Sequence, residues 1–365
     1  MSVVKGITLT TVVAILTLHL AAPASAQTAA SGELPLVWVL STGGTISGQG
    51  ATSTSLAEYK SGALLGEQLI AGVPEIKQVA SVKVEQIVNV SSTDVTIANW
   101  LTIANRINTI LRDDPKVAGV VITHGTNTLE ETAYFLNLTV KSDRPVILVG
   151  SMRPASAISA DGPLNLLNAI RTAVSPEARG KGVLAVLNDE INGARDVTKT
   201  NTYRVETFRA PELGLLGYVD ADKVSFYRSS TKRHTLRSEF DVGQLKELPK
   251  VDIVYSYVQP SLAMAKALVA DGVRGIVFAG TGAGLLSTGE REALTPFLSL
   301  PVDTRPVLVR SNRTGNGRVV AQEQYDKMGM IPADTLNPQK ARILLMLALT
   351  KTHDLNEIRR MFQEY

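Results

Sequence analysis

Three short stretches of this 365-residue chain hold side chains able to do chemistry on a small polar substrate. The first is Ser41-Thr42-Gly43-Gly44-Thr45-Ile46, where paired glycines let the backbone turn tightly and present N–H groups between flanking hydroxyls. It is neither a Walker loop nor a dinucleotide fingerprint, because the glycine spacing differs and no lysine follows. The second is Thr123-His124-Gly125-Thr126-Asn127-Thr128. As structure alone it need only cap a helix; as a site, a helix N-terminus with free N–H groups receives a carboxylate or an activated water. The third, Gly193-Ala194-Arg195-Asp196-Val197-Thr198-Lys199-Thr200-Asn201, sets a lysine in a polar run. Such a lysine is ordinarily a solvated surface charge. Turned inward and partly buried, Lys199 would depress the pKa of a neighbouring hydroxyl or take its proton, the help that a hydroxyl nucleophile needs at neutral pH.

A Ser–His or zinc reading of His124 finds no support. Beyond the first 26 residues the histidines are His124, His234 and His353, without ligand spacing, and the chain has no cysteine. His124 is expected as a packed, hydrogen-bonded residue, with neither metal nor organic cofactor required.

Ligands in open α/β sheets collect beyond the carboxyl ends of the strands, so each stretch should follow a strand. The apolar runs Leu36–Leu40, Val117–Ile122, Val146–Val149 and Val183–Leu187 fit that demand, and runs without alternation suit strands buried on both faces. Thr128-Leu129-Glu130-Glu131 reads as a capping box opening a helix, with Leu129, Ala133, Leu136 and Val140 on one face. Strands alternating with helices predict an α/β fold, a larger N-terminal domain on a mainly parallel sheet. The polar stretch Tyr227–Lys250 interrupts the rhythm, which resumes with Val251–Tyr257, Gly275–Phe278 and Pro306–Arg310. The expected organisation is a signal segment at 1–26, a catalytic α/β domain at 27–227, a linker at 228–250 and a smaller C-terminal α/β domain at 251–365.

Composition narrows the function classes. With 44% hydrophobic and 19% charged residues, 28 glycines, 16 prolines and no cysteine, collagen-like, low-complexity and disulfide-stapled classes are excluded. The 37 basic and 34 acidic residues give a net charge of +3 without a dense basic run, so no nucleic-acid footprint is present. Lys5, the apolar Ile7–Leu20 and Ala24-Ser25-Ala26 follow the order of a cleavable secretory signal. The apolar run is broken by Thr8, Thr10, Thr11, Thr17 and His19 and is shorter than the ~20 residues of a spanning helix. The expectation is a periplasmic or secreted protein with no membrane attachment after cleavage, stabilised by packing alone.

Read together, LSTGGTISG at 40–48, VVITHGTNTLEETAYFL at 120–136, VGSMRP at 149–154, SADGPLNLLNA at 159–169, NGARDVTKTNT at 192–202 and TLNPQKARILLMLALT at 335–350 resemble the bacterial type II, exported L-asparaginases and glutaminase-asparaginases. The resemblance runs from about Leu34 to Tyr365. It implies a homotetramer built as a dimer of dimers, and hydrolysis of an amino-acid side-chain amide through a threonine acyl-enzyme, with L-asparagine as substrate and L-glutamine as a further candidate. By the same resemblance Thr45 is the nucleophile, Tyr59 the flexible-loop tyrosine, and Thr126 and Lys199 the second catalytic threonine and the lysine. Ser92, with Thr93 beside it, and Thr126 with Asn127 would bind substrate, and Glu323 would reach across a dimer interface.

The chain departs from the family pattern at two positions. The usual H-G-T-D carries an aspartate that binds the substrate ammonium, and Asn127 stands there. Leu285, in Gly280-Thr281-Gly282-Ala283-Gly284-Leu285, stands where members generally place Asn or Ser. Two other readings therefore stand beside the amidohydrolase: a fold-retaining paralogue with weak catalysis, and a periplasmic amino-acid-binding protein. Ammonia release from L-asparagine separates them.

Overall fold

The computed structural model describes residues 33–261, 263–301 and 304–365, so the expected signal segment lies outside the described residues. Eight strands form the larger sheet: β1 (Leu36–Gly43), β2 (Ser81–Val90), β3 (Val117–Thr123), β4 (Val146–Val149), β5 (Val183–Leu187), β6 (Glu190–Gly193), β7 (Gly217–Val219) and β8 (Val224–Phe226). Their spatial order is β8-β7-β6-β5-β4-β3-β1-β2. From β5 to β2 the pairing is parallel, and β6, β7 and β8 extend it antiparallel. A second sheet of β9 (Val251–Tyr255), β10 (Gly275–Gly280), β11 (Val307–Asn312) and β12 (Ile331–Pro332) is parallel throughout. The α/β architecture read from the apolar runs is the one observed.

Those runs lack alternation because helices cover both faces of the sheet. The helices are α1 (Gly66–Ala71), α2 (Ile97–Asp113), α3 (Leu129–Thr139), α4 (Gly162–Val174), α5 (Ala263–Ala270), α6 (Thr288–Leu298), α7 (Glu323–Asp326), α8 (Pro338–Leu349) and α9 (Leu355–Glu364). Leu40, Val120, Ile122 and Leu148 point to the face that α2 and α3 cover. Val37, Val39, Val121 and Ile147 point to the other, against α1 and α4. Strand β2 lies at the sheet edge and alternates instead, with its residues exposed or half-buried, so it lacks the continuous apolar signal.

The two lobes share one core. Leu129–Leu138 of α3 meets Ala341–Leu349 of α8, which in turn packs on Val277 and Val309 of the second sheet. Helix α3 is therefore buried on nearly every side rather than on the single face expected from its pattern. Its start also differs from the expected capping box. Thr128 makes no side-chain cap; its Oγ1 donates instead to the Ser92 carbonyl at 2.7 Å. The competing acceptor is close and buried, and it captures the hydroxyl. In the connecting segment 228–250, Phe240 and Val242 enter the shared core.

Strand β1 has β2 on one side and β3 on the other, so the direction of winding reverses there. Such a reversal opens a crevice at the carboxyl ends of the two strands, where the connections leave in opposite directions. Ser41 pairs with Thr123 at that end. The glycine turns that follow touch backbone to backbone: a Cβ on Gly44, at φ +83°, would lie 2.3 Å from Cα and N of Gly125. Replacing Gly44→Ala is expected to cost more than about 2 kcal/mol in denaturant unfolding. Gly180→Ala, at φ +73° with open space around the added atom, is expected to cost only about 1 kcal/mol. Equal losses for the two variants would show that the close approach does not constrain the fold.

Candidate active site

Each of the two turns delivers a hydroxyl one residue after its close-approach glycine. In the first, Thr42 Oγ1 donates to the Thr123 carbonyl at 2.8 Å and Gly44 N to the Val90 carbonyl at 3.1 Å, tying the turn to both neighbouring strands. Gly43 and Gly44 both take positive φ, 96° and 83°, a conformation that costs glycine nothing. Thr45 then opens a single turn of tight helix, and its Oγ1 lies 2.8 Å from the Tyr59 hydroxyl. Tyr59 sits on a two-residue ribbon paired with Gln49–Gly50, its ring laid over Gly48, where a Cβ would come within 2.8 Å of it.

In the second turn, Asn127 N donates to Ser92 Oγ at 3.1 Å. Lys199 arrives from beyond β6 on a ribbon formed with Phe208–Arg209. Its Nζ donates to Thr126 Oγ1 at 2.9 Å and to Asn127 Oδ1 at 3.0 Å. Burial pushes the Lys199 amine below the usual lysine value, and the Glu130 carboxylate partly opposes that shift. Thr45, Tyr59, Thr126, Asn127 and Lys199 line a single cavity of about 640 Å³, with Met152 on its wall. The Met152 loop is held by Asp161, whose carboxylate accepts the N–H groups of Met152 and Arg153 at 2.9 Å each. Thus the SADGP and SMRP stretches act as one unit.

The remaining expected site residues stand apart from these five. Ser92 is buried behind Asn127; its hydroxyl oxygen accepts the Asn127 N–H and its carbonyl accepts Thr128 Oγ1. Thr93 is exposed and shares a 2.9 Å bond with Ser91 Oγ. Glu323 lies on α7 in the second lobe, exposed and ion-paired with Lys327 at 2.7 Å, away from the cavity of its own chain. Leu285 is 38% exposed beside a bridge with Thr281.

His124 is wholly buried, its Nδ1 donating to the Gly125 carbonyl at 2.7 Å and its Nε2 accepting from Thr132 Oγ1 at 3.0 Å, while that hydroxyl oxygen accepts from Trp100. Desolvation lowers its pKa to about 4. It is the packed core histidine expected.

Four residues around Lys199 escaped the sequence reading. Glu130, whose sequence context is that of a helix cap, receives the Lys199 backbone N–H, and Asn337, Gln339 and Lys340 come to the same place from the second lobe.

Paired hydroxyls facing a half-buried lysine at a switch point define a two-lobed α/β hydrolase. Family models match over nearly the whole described chain: "Asparaginase, N-terminal" at residues 36–232 and "Glutaminase/Asparaginase C-terminal domain" at 250–362. The L-asparaginase 2 of Bacillus subtilis (strain 168) is 50% identical over 341 residues, 93% of this chain and 89% of that protein. The glutaminase-asparaginase of Pseudomonas fluorescens biotype A is 47% identical over 336 residues, 91% of each. The crystal structure of a probable cytoplasmic L-asparaginase from Campylobacter jejuni superposes with a TM-score of 0.87 at 45% identity, covering 92% of this chain and 100% of that one. The chain belongs to the asparaginase family.

The depressed His124 pKa links pH to stability. The unfolded chain binds this proton with a pKa near 6.5 and the folded one near 4, so stability is complete above the first value. It falls as pH drops toward the second, by up to about 3 kcal/mol. Urea unfolding at pH 7 and pH 4.5 should show a smaller pH-dependent loss in His124→Gln than in the wild type. The same loss in both would place the acid sensitivity elsewhere.

Proposed function

We propose that this chain hydrolyses the side-chain amide of L-asparagine, and of L-glutamine as a second substrate, through an ester on Thr45. The observation that carries this reading is the common cavity onto which the Thr45–Tyr59 and Thr126–Lys199 pairs open. Thr45 Oγ1 attacks the amide carbon and gives up its proton to Tyr59, 2.8 Å away, or to Lys199 by way of Thr126. The acceptor passes a proton to the amide nitrogen, the C–N bond breaks and ammonia leaves; water then cleaves the ester to release the acid and restore the Thr45 hydroxyl. Backbone N–H groups near Thr126 would hold the oxyanion. That of Asn127 is engaged by Ser92, so it is not one of them.

Ser92, Thr93 and Asn127 would orient the substrate's carboxylate and ammonium. Asn127 presents an amide dipole where a carboxylate would present a full charge, and charge-assisted bonds are roughly twice as strong as neutral ones. The exposed Glu323 would join Tyr59 in the site of a second copy, which supports self-association as a dimer or a dimer of dimers. Export rests on residues 1–26; the Campylobacter jejuni neighbour is described as cytoplasmic, so cell fractionation decides.

Ammonia release from L-asparagine and L-glutamine is the direct test, and binding of either amino acid without ammonia release would overturn the reading. Thr45→Ala should fold normally and lose on the order of 10⁴ or more in rate. Asn127→Asp should lower the Michaelis constant for L-asparagine about tenfold. A higher constant or an inactive enzyme would mean that the site is built around the asparagine. Light scattering at assay concentration should find no fully active monomer.

A further inference from the structure

The second lobe reaches the site through a buried polar joint to which amide hydrolysis assigns no role. Glu130, near the start of α3, is 5% exposed. Its Oε2 accepts the backbone N–H of Lys199 at 2.7 Å, and its Oε1 accepts the side-chain amides of Gln339 and, at 3.3 Å, Asn337. Lys340, 1% exposed, donates Nζ to the carbonyl of Arg195 at 2.8 Å and to that of Val197. Residues 195, 197 and 199 are thus gripped in turn, as the chain leaves the turn at 194–196 and enters the short strand Thr198–Lys199.

A buried carboxylate left without partners would be costly; this one accepts three hydrogen bonds, two of them from the other lobe. Its position also matters electrostatically. The side-chain partners of Lys199, Thr126 Oγ1 and Asn127 Oδ1, are neutral. The opposing charge that the Lys199 ammonium meets is Glu130. Other charged groups around the joint are Arg195 and Asp196 on the gripped segment, Lys340 and Arg342 on α8, and Glu131 on α3.

We propose that Glu130 is a positioning residue of the site: anchored by Gln339 and Asn337, it sets the reach of Lys199 toward Thr126 and supplies the negative charge that Asn127 does not. The kinetic consequence rests on the hydrolase reading above; the electrostatic one does not.

The test combines a spectroscopic and a kinetic measurement on the full chain. In enzyme carrying ¹³Cε,¹⁵Nζ-lysine, the Lys199 signal is assigned by its loss in Lys199→Arg. Its titration midpoint should move to lower pH in Glu130→Gln, because the ammonium loses its opposing charge. With L-asparagine as substrate, Glu130→Gln should lower kcat roughly tenfold or more while KM stays within about twofold, as expected when a proton acceptor is misplaced but the substrate pocket is kept. Gln339→Leu, which keeps the carboxylate and removes one anchor, should lower kcat by a smaller factor; if Glu130→Gln does not fold by circular dichroism, this variant decides. A Lys199 titration that does not move, an unchanged kcat, or a kcat loss matched by an equal rise in KM overturns the proposal. A wild-type enzyme that releases no ammonia overturns the activity reading instead, while the titration still decides the role of Glu130.

Discussion

The contact on which the rest of the site depends is the meeting of two bare backbones, Gly44 against Gly125. Their strands, β1 and β3, are neighbours across the point where the winding reverses, from which the connections leave in opposite directions. With Cβ atoms excluded, the two turns close to a distance no substituted backbone could share. Thr45 and Thr126 each follow one of these glycines, so the same approach that packs the turns sets both hydroxyls on one cavity. Hydrogen bonds from Thr42 and Gly44 to the flanking strands then remove the freedom that the glycines introduce.

Lys199 comes to this cavity from a different part of the sheet, and its placement depends on the second lobe. The antiparallel extension through β6 turns the chain back, and the ribbon carrying Lys199 is too short to hold itself. Glu130 and Lys340, both buried, fix it from beside the shared apolar core. Polar groups in such a place specify alignment: a shift of α8 along α3 would leave a carboxylate and an ammonium unpaired, at a cost of several kcal/mol. The joint therefore ties the relative position of the lobes to the geometry of the lysine.

The electrostatics of the cavity are unusual for a site that would bind an amino acid. Its cation, Lys199, has two uncharged side-chain partners, and burial favours its neutral form. The Asn127 amide oxygen already accepts from Lys199, leaving one lone pair for a substrate ammonium. On the proposed amide-hydrolase reading, the missing charge at residue 127 would weaken binding of the substrate ammonium and would favour Lys199 as a base. On that reading the residue at position 127 would move affinity and proton transfer in opposite directions.

Much of this was legible in the sequence. Apolar runs of fixed length announce buried parallel strands whatever surrounds them, because both faces must be covered, and paired glycines before a threonine announce a turn that only glycine can make. The edge strand β2 and the all-round burial of α3 were not legible, since alternation and amphipathicity register exposure, and exposure is decided by neighbours distant in the chain. Thr128 likewise carries the chemistry of a cap, and only proximity to Ser92 redirects it. In the sequence Glu130 reads as part of a helix cap and Lys340 only as one residue of a family motif; their roles exist only once two lobes close over them, because a charge acquires a fixed partner when water is removed and not before. The residue types and the strands that carry them were determined by the sequence alone. Which hydroxyl meets which acceptor, and which charge holds the lysine, was decided by tertiary packing, through contacts between segments as far apart as residues 130 and 339.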